Sequence, residues 1–330
     1  MISIDTQTKL LLAKKNWQSP NSLEELGYIF FGPIVLNFFC WLKYESIGCD
    51  KILFNSREGY FLKQIADTFN DKFNLPERIY FKTSRKLSFM ASFFNEEDVY
   101  DSFKLHKYKG NLKDLMFDRF GIDVTEDTEI DTTIQLPNLN PYMNLILEKS
   151  KVIRNDYGKY VLNSISNSKN IIMVDNGYQG STQYNIQKAY GLEFKGRYFT
   201  YKGNESLNDV KGFYNFDECK LKDNFIFFES VFIDKVGSYI DILDNQFINE
   251  SIDLNSLYFS EKQKIVKGIK LFIRDVLNAN VDLSTFSYKF SDYLFNLMCT
   301  KDFVINDTLF EYFYHDNMYT RGFIKKINRR

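Results

Sequence analysis

Twice in this chain a short apolar run ends at a polar, glycine-bearing stretch that leads into helical spacing. That grammar constrains the fold more than any other feature. Ile171, Ile172, Met173 and Val174 run into Asp175, Asn176, Gly177, Tyr178, Gln179, Gly180, Ser181 and Thr182, with a helix expected over residues 183–190. Such a run, bounded by polar residues, reads as a short buried strand opening into a tight loop. Residues 51–54 form an earlier one, ending in Asn55, Ser56, Arg57, Glu58 and Gly59; Tyr60, Phe61, Ile65, Ala66 and Phe69 then recur at helical spacing. A third strand is expected over residues 78–82, followed by Thr83, Ser84, Arg85 and Lys86. Buried strands alternating with helices predict an α/β fold: a mostly parallel sheet flanked by helices, Rossmann-like, with a helical insertion and a C-terminal helical elaboration.

The organisation expected around that core is an N-terminal helical region over 1–50, an α/β catalytic core over 51–240 and a mainly helical region over 241–330. Ser22 with Glu25 suggests a capping box, and Pro33 suits the first turn of a further helix. The aromatic, helical stretch from residue 87 is too long for an ordinary crossover, so an inserted helical cap is expected over about 87–165. Within it, residues 123–131 are acidic and read as a lid or a solvated edge, and a long helix is expected over 142–164. Further strands or helices are expected over 193–201, 261–277, 288–298 and 310–314, with an apolar stretch over 224–231 and a basic tail at the end.

Charge excludes one large class of partner. Lys and Arg total 42 against 43 Asp and Glu, a net charge of −1, whereas a nucleic-acid footprint normally leaves a basic excess. The four cysteines, Cys40, Cys49, Cys219 and Cys299, lack metal-ligand spacing, and His106 and His315 are the two histidines, which argues against a Cys/His zinc site. Residues 1–8 lack the charged and apolar regions of a secretory signal, so a cytoplasmic location is expected, with peripheral association at the inner face of the membrane. The apolar segment over 28–42 falls short of the roughly 20 residues that span a bilayer, and reads as a buried helix or a membrane-surface contact.

Ligands of open α/β sheets bind at the carboxyl ends of strands, and small residues let backbone approach them. Arg57, Arg85 and Lys86 put positive charge at two strand ends. The third offers Asp175, two glycines, the Ser181 and Thr182 hydroxyls and the first amides of a helix. This pairing suits a phosphorylated sugar: Arg binds phosphate oxygens in a bidentate fashion, and an ionised Asp accepts hydrogen bonds from sugar hydroxyls. A magnesium ion on a pyrophosphate takes most of its ligands from the phosphates and water, so few histidines are no obstacle. Glu229, alone among apolar residues, is either a general base or a buried carboxylate with a basic partner. Arg57 and Arg85 either meet phosphate or close ion pairs, and His106 reads as an exposed helix residue.

The phrases KILFNSREGYFLKQI, YFKTSRKLS and IIMVDNGYQGSTQ resemble type I phosphoribosyltransferases. More narrowly, they resemble the phosphoribosyltransferase-like domain of bacterial polysaccharide-assembly proteins, often found beside a haloacid-dehalogenase-like phosphatase domain. The resemblance covers residues 27–85 and 169–188. It implies a glycosyltransferase using phosphoribosyl pyrophosphate (PRPP) and Mg2+ to place 5-phosphoribose, the precursor of ribofuranose, on a lipid-linked glycan acceptor, with phosphatase and glycosyltransferase partners. On that resemblance Ser56, Arg57, Glu58 and Gly59 form the pyrophosphate loop, with Arg85 and Lys86 facing the diphosphate. Asp175 and Asn176 take the ribose-binding acidic pair, Asp175 contacting the metal, and Gly177, Tyr178, Gln179, Gly180, Ser181 and Thr182 cradle the 5-phosphate. Arg57, Asp175 and Glu229 are the catalytic candidates. The sequence departs from the pattern in having Asn176 where a second acid is usual and a loop one residue short. Two other readings stay open: a haloacid-dehalogenase-like phosphohydrolase built on Asp175, and a non-catalytic phosphate- or glycan-binding assembly module.

Overall fold

A computed structural model describes residues 2–13, 15, 20–215, 230–250, 259–287, 290–291, 293–294 and 297. Strand β1 (Ile2–Ser3) and helix α1 (Ile4–Leu12) precede a continuous helical run made of α2 (Leu23–Leu26), a π turn (Gly27–Phe31) and α3 (Gly32–Glu45). The Ser22 hydroxyl accepts the Glu25 N–H as the N-cap, while the Glu25 carboxylate reaches back to the N–H of Asn21 rather than Ser22. Pro33 lies in the first turn of α3, but because the π turn runs straight into α3 it stands inside the continuous run, where its missing N–H omits one bond to the preceding turn.

Next come β2 (Lys51–Asn55), α4 (Gly59–Thr68), α5 (Asn70–Phe73), β3 (Glu77–Phe81), α6 (Arg85–Ser92) and α7 (Glu96–Leu105). Strands β4 (Lys109–Asn111) and β5 (Glu129–Asp131) pair antiparallel and enclose α8 (Leu112–Leu115) and a second π turn (Met116–Phe120). Helix α9 (Met143–Ile165) then leads to β6 (Ile171–Tyr178), α10 (Ser181–Tyr190), β7 (Lys195–Tyr201) and β8 (Val210–Asn215). The hairpin β9 (Tyr239–Leu243) and β10 (Gln246–Asn249), helix α11 (Phe259–Asn278) and β11 (Val281–Asp282) follow, with short 3-10 turns at Asn140–Tyr142 and Leu283–Thr285.

The central sheet is parallel throughout, in the order β3-β2-β6-β7-β8. The chain steps from β2 outward to β3 and returns past β2 to β6, so strand order reverses between β2 and β6, where doubly wound sheets hold their ligands. Strand alternation divides the core. Ile52, Phe54, Ile172 and Val174 face α3, α4 and α11; Leu53, Ile171 and Met173 face α6, α9 and α10. Helix α11 lies so close to the first helical run that a Cβ on Gly27 would stand 2.0 Å from the Ile265 carbonyl oxygen, and one on Gly268 2.0 Å from that of Glu24. The helices from residues 4–45 and 259–278 therefore share one core with the sheet.

Several boundaries differ from expectation. The anchor strand does not stop at Val174: Asp175, Gly177 and Tyr178 continue the ladder opposite Tyr198, Thr200 and Tyr201 of β7. The region expected to be a helical cap also holds the β4–β5 pair, where the acidic stretch ends, and the boundary expected at 240/241 falls inside β9. Residues 224–229, including Glu229, and residues 310–314 lie outside the described residues. Among those described, one helical run, Leu23–Glu45, is long and apolar enough to cross a membrane, with mean hydropathy 1.5, and 89% of its apolar window is buried within the fold.

Candidate functional site

At the carboxyl edge of the sheet, on the α6/α10 face, a cleft of about 120 Å³ opens over β2 and β6. Its floor is Asn55 and Asp175, which strand parity directs to that face. Asn55 donates its side-chain N–H to Asp175 Oδ2 at 2.9 Å, and the backbone N–H of Asn176 donates to Oδ1 at 2.7 Å. Burial, with the negative charge of Glu58 second, pushes the Asp175 carboxyl up to about 6, against the opposing hydrogen bonds and Arg85.

The first wall is Ser56, Arg57 and Glu58. Ser56 stitches the loops after β2 and β3 together: its hydroxyl donates to the Thr83 carbonyl and accepts the Thr83 N–H at 2.9 Å, while its own N–H reaches Phe81 O at 2.9 Å. The Ser56–Arg57 peptide is cis. Arg57 is buried, donating from Nη1 to Ser238 Oγ at 2.8 Å, and its carbonyl accepts the Asp234 N–H. Asp234 in turn accepts the Tyr80 hydroxyl at 2.7 Å. The neighbouring α4 begins at Gly59, whose absent side chain admits Phe54 of β2: a Cβ there would lie 2.8 Å from the Phe54 carbonyl carbon.

The second wall is the start of α6. Ser84 caps the helix by accepting the Leu87 N–H and donates to the Tyr239 carbonyl of the hairpin. Arg85 is half-buried at the first helical position. Lys86 is buried and donates to the Phe117 carbonyl at 2.8 Å. Burial and the nearby Lys149 push its ammonium down to about 8, with Asp118, Asp241 and Glu250 opposing.

The third wall is the turn from β6 into α10. Gly177 has φ +143°, and a Cβ there would sit 2.3 Å from both the carbonyl and hydroxyl oxygens of Thr200. Gly180, at φ +66°, is the N-cap of α10 and makes no side-chain cap, so the first amides point past it beside the half-buried Ser181 and Thr182. Helices α4, α6 and α10 thus direct three N-termini at one cleft, where their dipoles and amides favour anions. Ser238, Ile240 and Glu250 roof it from the hairpin, which is further held by Lys149 to Asp241 at 3.3 Å.

Of the residues singled out by sequence, Ser56, Arg57, Glu58, Arg85, Lys86, Asp175, Gly177, Gly180, Ser181 and Thr182 come together around this cleft. Asn176 does not: it is buried on the opposite parity, where β6 continuing as strand turns it away from Asp175. Gly59 is consumed by helix–strand packing. Gln179 lies in the turn, its carbonyl accepting the Asn204 amide at 2.8 Å, and is absent from the lining; the Tyr178 side chain lies outside what the structure describes. Glu229 lies outside the described residues. His106, expected to be exposed, is half-buried at the C-cap of α7, with Nε2 3.3 Å from Ser181 Oγ. The hairpin residues and Asp118 were not anticipated; no local pattern ties them to strands so far away in sequence.

A second cavity, about 950 Å³, opens at the opposite ends of the strands among Cys40, Tyr44, Cys49, Leu75 and Phe286. It is larger, but it lacks convergent helix N-termini, and the order reversal assigns ligands to the carboxyl edge, so chemistry rather than size selects the smaller cleft. Among the described residues no group of three or more His, Cys, Asp or Glu is placed to hold a metal. No protein-family model matches the chain, and no curated protein matches it in sequence.

Proposed function

We propose that the protein is a phosphoribosyltransferase-like glycosyltransferase that moves 5-phosphoribose from PRPP to a hydroxyl of a glycan acceptor, lipid-linked, in bacterial surface-polysaccharide assembly. The observation that carries this reading is the meeting of Arg57, Arg85 and Asp175 with Ser181 and Thr182 in one cleft at the order reversal of a parallel sheet. The 5-phosphate is assigned to the α10 N-terminus, with Ser181 and Thr182 as donors. The diphosphate is assigned to Arg85, Lys86 and the loop of Ser56 and Arg57, and the ribose hydroxyls to Asp175. The acceptor oxygen forms a bond to the anomeric carbon while the bond to pyrophosphate breaks, the electron pair leaving with pyrophosphate. Fixed positive charge at that end stabilises the departing group, and the acceptor's proton is assigned to Glu58, one of the carboxylates that line the cleft with Asp118 and Glu250.

The donor set fits Mg2+ only as an ion held chiefly by diphosphate oxygens and water, with Asp175 as the protein carboxylate beside it. When bound, the ion neutralises leaving-group charge. The cleft is smaller than the roughly 300–1,000 Å³ of small-molecule sites and opens to solvent, so it holds the phosphate-bearing part of the donor and leaves the rest to extend outward. Peripheral association with the inner membrane face and a partner phosphatase that removes the 5-phosphate complete the proposal. The phosphohydrolase alternative needs a second aspartate two positions after the first. Gly177 stands there, and Thr200 leaves no room for a side chain.

The test is incubation with PRPP, Mg2+ and a panel of lipid-linked and free glycan acceptors, reading pyrophosphate release. Release that depends on acceptor, and that falls in Arg85→Ala, is expected. Binding without release indicates an assembly module instead, and neither binding nor release across the panel overturns the reading.

A further inference from the structure

Outside the expected machinery, one titratable side chain reaches the cleft from behind. His106 ends α7, its N–H bonded to the Ser102 carbonyl. Its ring stands edge-on to Phe89 of α6, centroids 5.4 Å apart at 86°. Its own carbonyl accepts Nη2 of Arg119, a side chain 1% exposed that lies over the rings of Phe103 and Tyr108. So fixed, Nε2 meets Ser181 Oγ at 3.3 Å, and Ser181 is both a cleft residue and the first residue of α10.

The chemistry of this contact depends on the ring's proton. With a proton on Nε2, the imidazole donates to Oγ and the serine hydrogen turns to the cleft, where it can donate to an anion. With Nε2 bare, it takes the serine hydrogen and leaves the oxygen's lone pairs facing the anion. The charged groups acting on the ring are Arg85 from α6 and Arg119 from the π turn, and burial together with these two guanidinium groups holds it well below the ordinary histidine range. A doubly charged phosphate seated at the α10 N-terminus offsets both cations and favours the imidazolium.

Resting on the phosphate assignment above, we propose that His106 and Ser181 form a charge-reading relay in which binding protonates His106, making the site select a terminal phosphate monoester over a singly charged diester. His106 is a positioning residue here, acting on the ligand through Ser181.

Ribose 5-phosphate and its 5-(methyl phosphate) diester are the probes, titrated calorimetrically into the wild-type chain and His106→Gln between pH 5.5 and 8.5, in two buffers of different ionisation enthalpy. The phosphate's own second ionisation, near pH 6, makes monoester affinity rise with pH in either protein. Bound phosphate must lift the ring from well below the ordinary histidine range into this window, so the wild-type to His106→Gln affinity ratio should be highest at pH 5.5 and fall by at least about threefold toward pH 8.5. On binding the monoester the wild type should take up more protons than His106→Gln does, and the diester should show neither effect. Ser181→Ala should reproduce the His106→Gln profile. Monoester binding with a pH-independent ratio and equal proton uptake overturns the relay and leaves the phosphate site standing. No monoester binding by the wild type at any pH overturns both.

Discussion

The loops after β2 and β6 share a sequence grammar but are built in opposite ways. After β2 the polar side chains face inward: Ser56 binds Thr83 across the loop, and Arg57, 6% exposed, binds Ser238 and brings the hairpin onto the sheet edge. After β6 the backbone does the packing, with Gly177 against Thr200 and Gly180 against Tyr198 and Leu207, while Ser181 and Thr182 stay half-exposed to the cleft. One loop is a brace whose arginine donates to the hairpin as well as lining the cleft; the other is a cradle whose donors, Ser181 and Thr182, remain half-exposed. A strand-terminal arginine can thus brace the fold as well as face a ligand, and a strand-terminal glycine need not mark ligand approach.

The largest break in this comparison is Gly177→Ala. The new Cβ collides with the Thr200 backbone at a φ that L side chains rarely adopt, so a stability loss of about 3 kcal/mol or more is expected in chemical denaturation. Gly191→Ala is the control: it also has positive φ, +62°, but open space, and should cost about 1–2 kcal/mol. Equal losses would mean that the cradle is not shaped by contact with β7.

Asp175→Asn separates function from stability. The native carboxyl is harder to ionise than its ordinary value of 3.8, at about 6, so the folded chain holds a proton that the unfolded chain releases. Wild-type stability should therefore fall as pH rises from about 4 to about 6 and stay lower above. The isosteric amide keeps a carbonyl for Asn55 and carries no such penalty. It should match the wild type near pH 4 and exceed it at pH 7 by on the order of 1–3 kcal/mol, while transfer drops at least about 100-fold. Parallel stability curves for the two proteins would show that Asp175 is not strained by its setting.

Much of this was legible because β2 and β6 are buried on both faces, so unbroken apolar runs such as Ile171 to Val174 mark them. Arg85 and Lys86 were placed by the strand expected over residues 78–82, although β3 is an edge strand and only partly buried. Where β6 stopped was not legible: Asp175 to Tyr178 look like a loop, yet β7 offers partners that keep them extended, which turns Asn176 away. The roof was also hidden, since Ser238 and Tyr239 meet Arg57 and Ser84 only through tertiary packing. His106 carried no local signal either, because the contact with Ser181 spans 75 residues.

The finest test compares the two arginines directly. Arg57→Ala removes a buried donor from Ser238, so it should cost about 1–3 kcal/mol of stability and loosen the hairpin, measurable as faster amide exchange over residues 239–249. Arg85→Ala removes a half-exposed guanidinium, and its stability should stay within about 0.5 kcal/mol of wild type. Its effect should appear instead in ligand affinity: loss of a charge-assisted contact worth about 1.5–3 kcal/mol weakens donor binding by roughly tenfold or more. Arg57→Lys then decides what the brace requires. Lysine keeps the charge but not the planar fork, so if Arg57 serves mainly to hold the roof, Arg57→Lys should lose hairpin protection almost as Arg57→Ala does. If Arg57→Lys keeps hairpin protection and loses donor affinity, Arg57 serves the diphosphate more than the roof, and the two loops are more alike than their packing indicates.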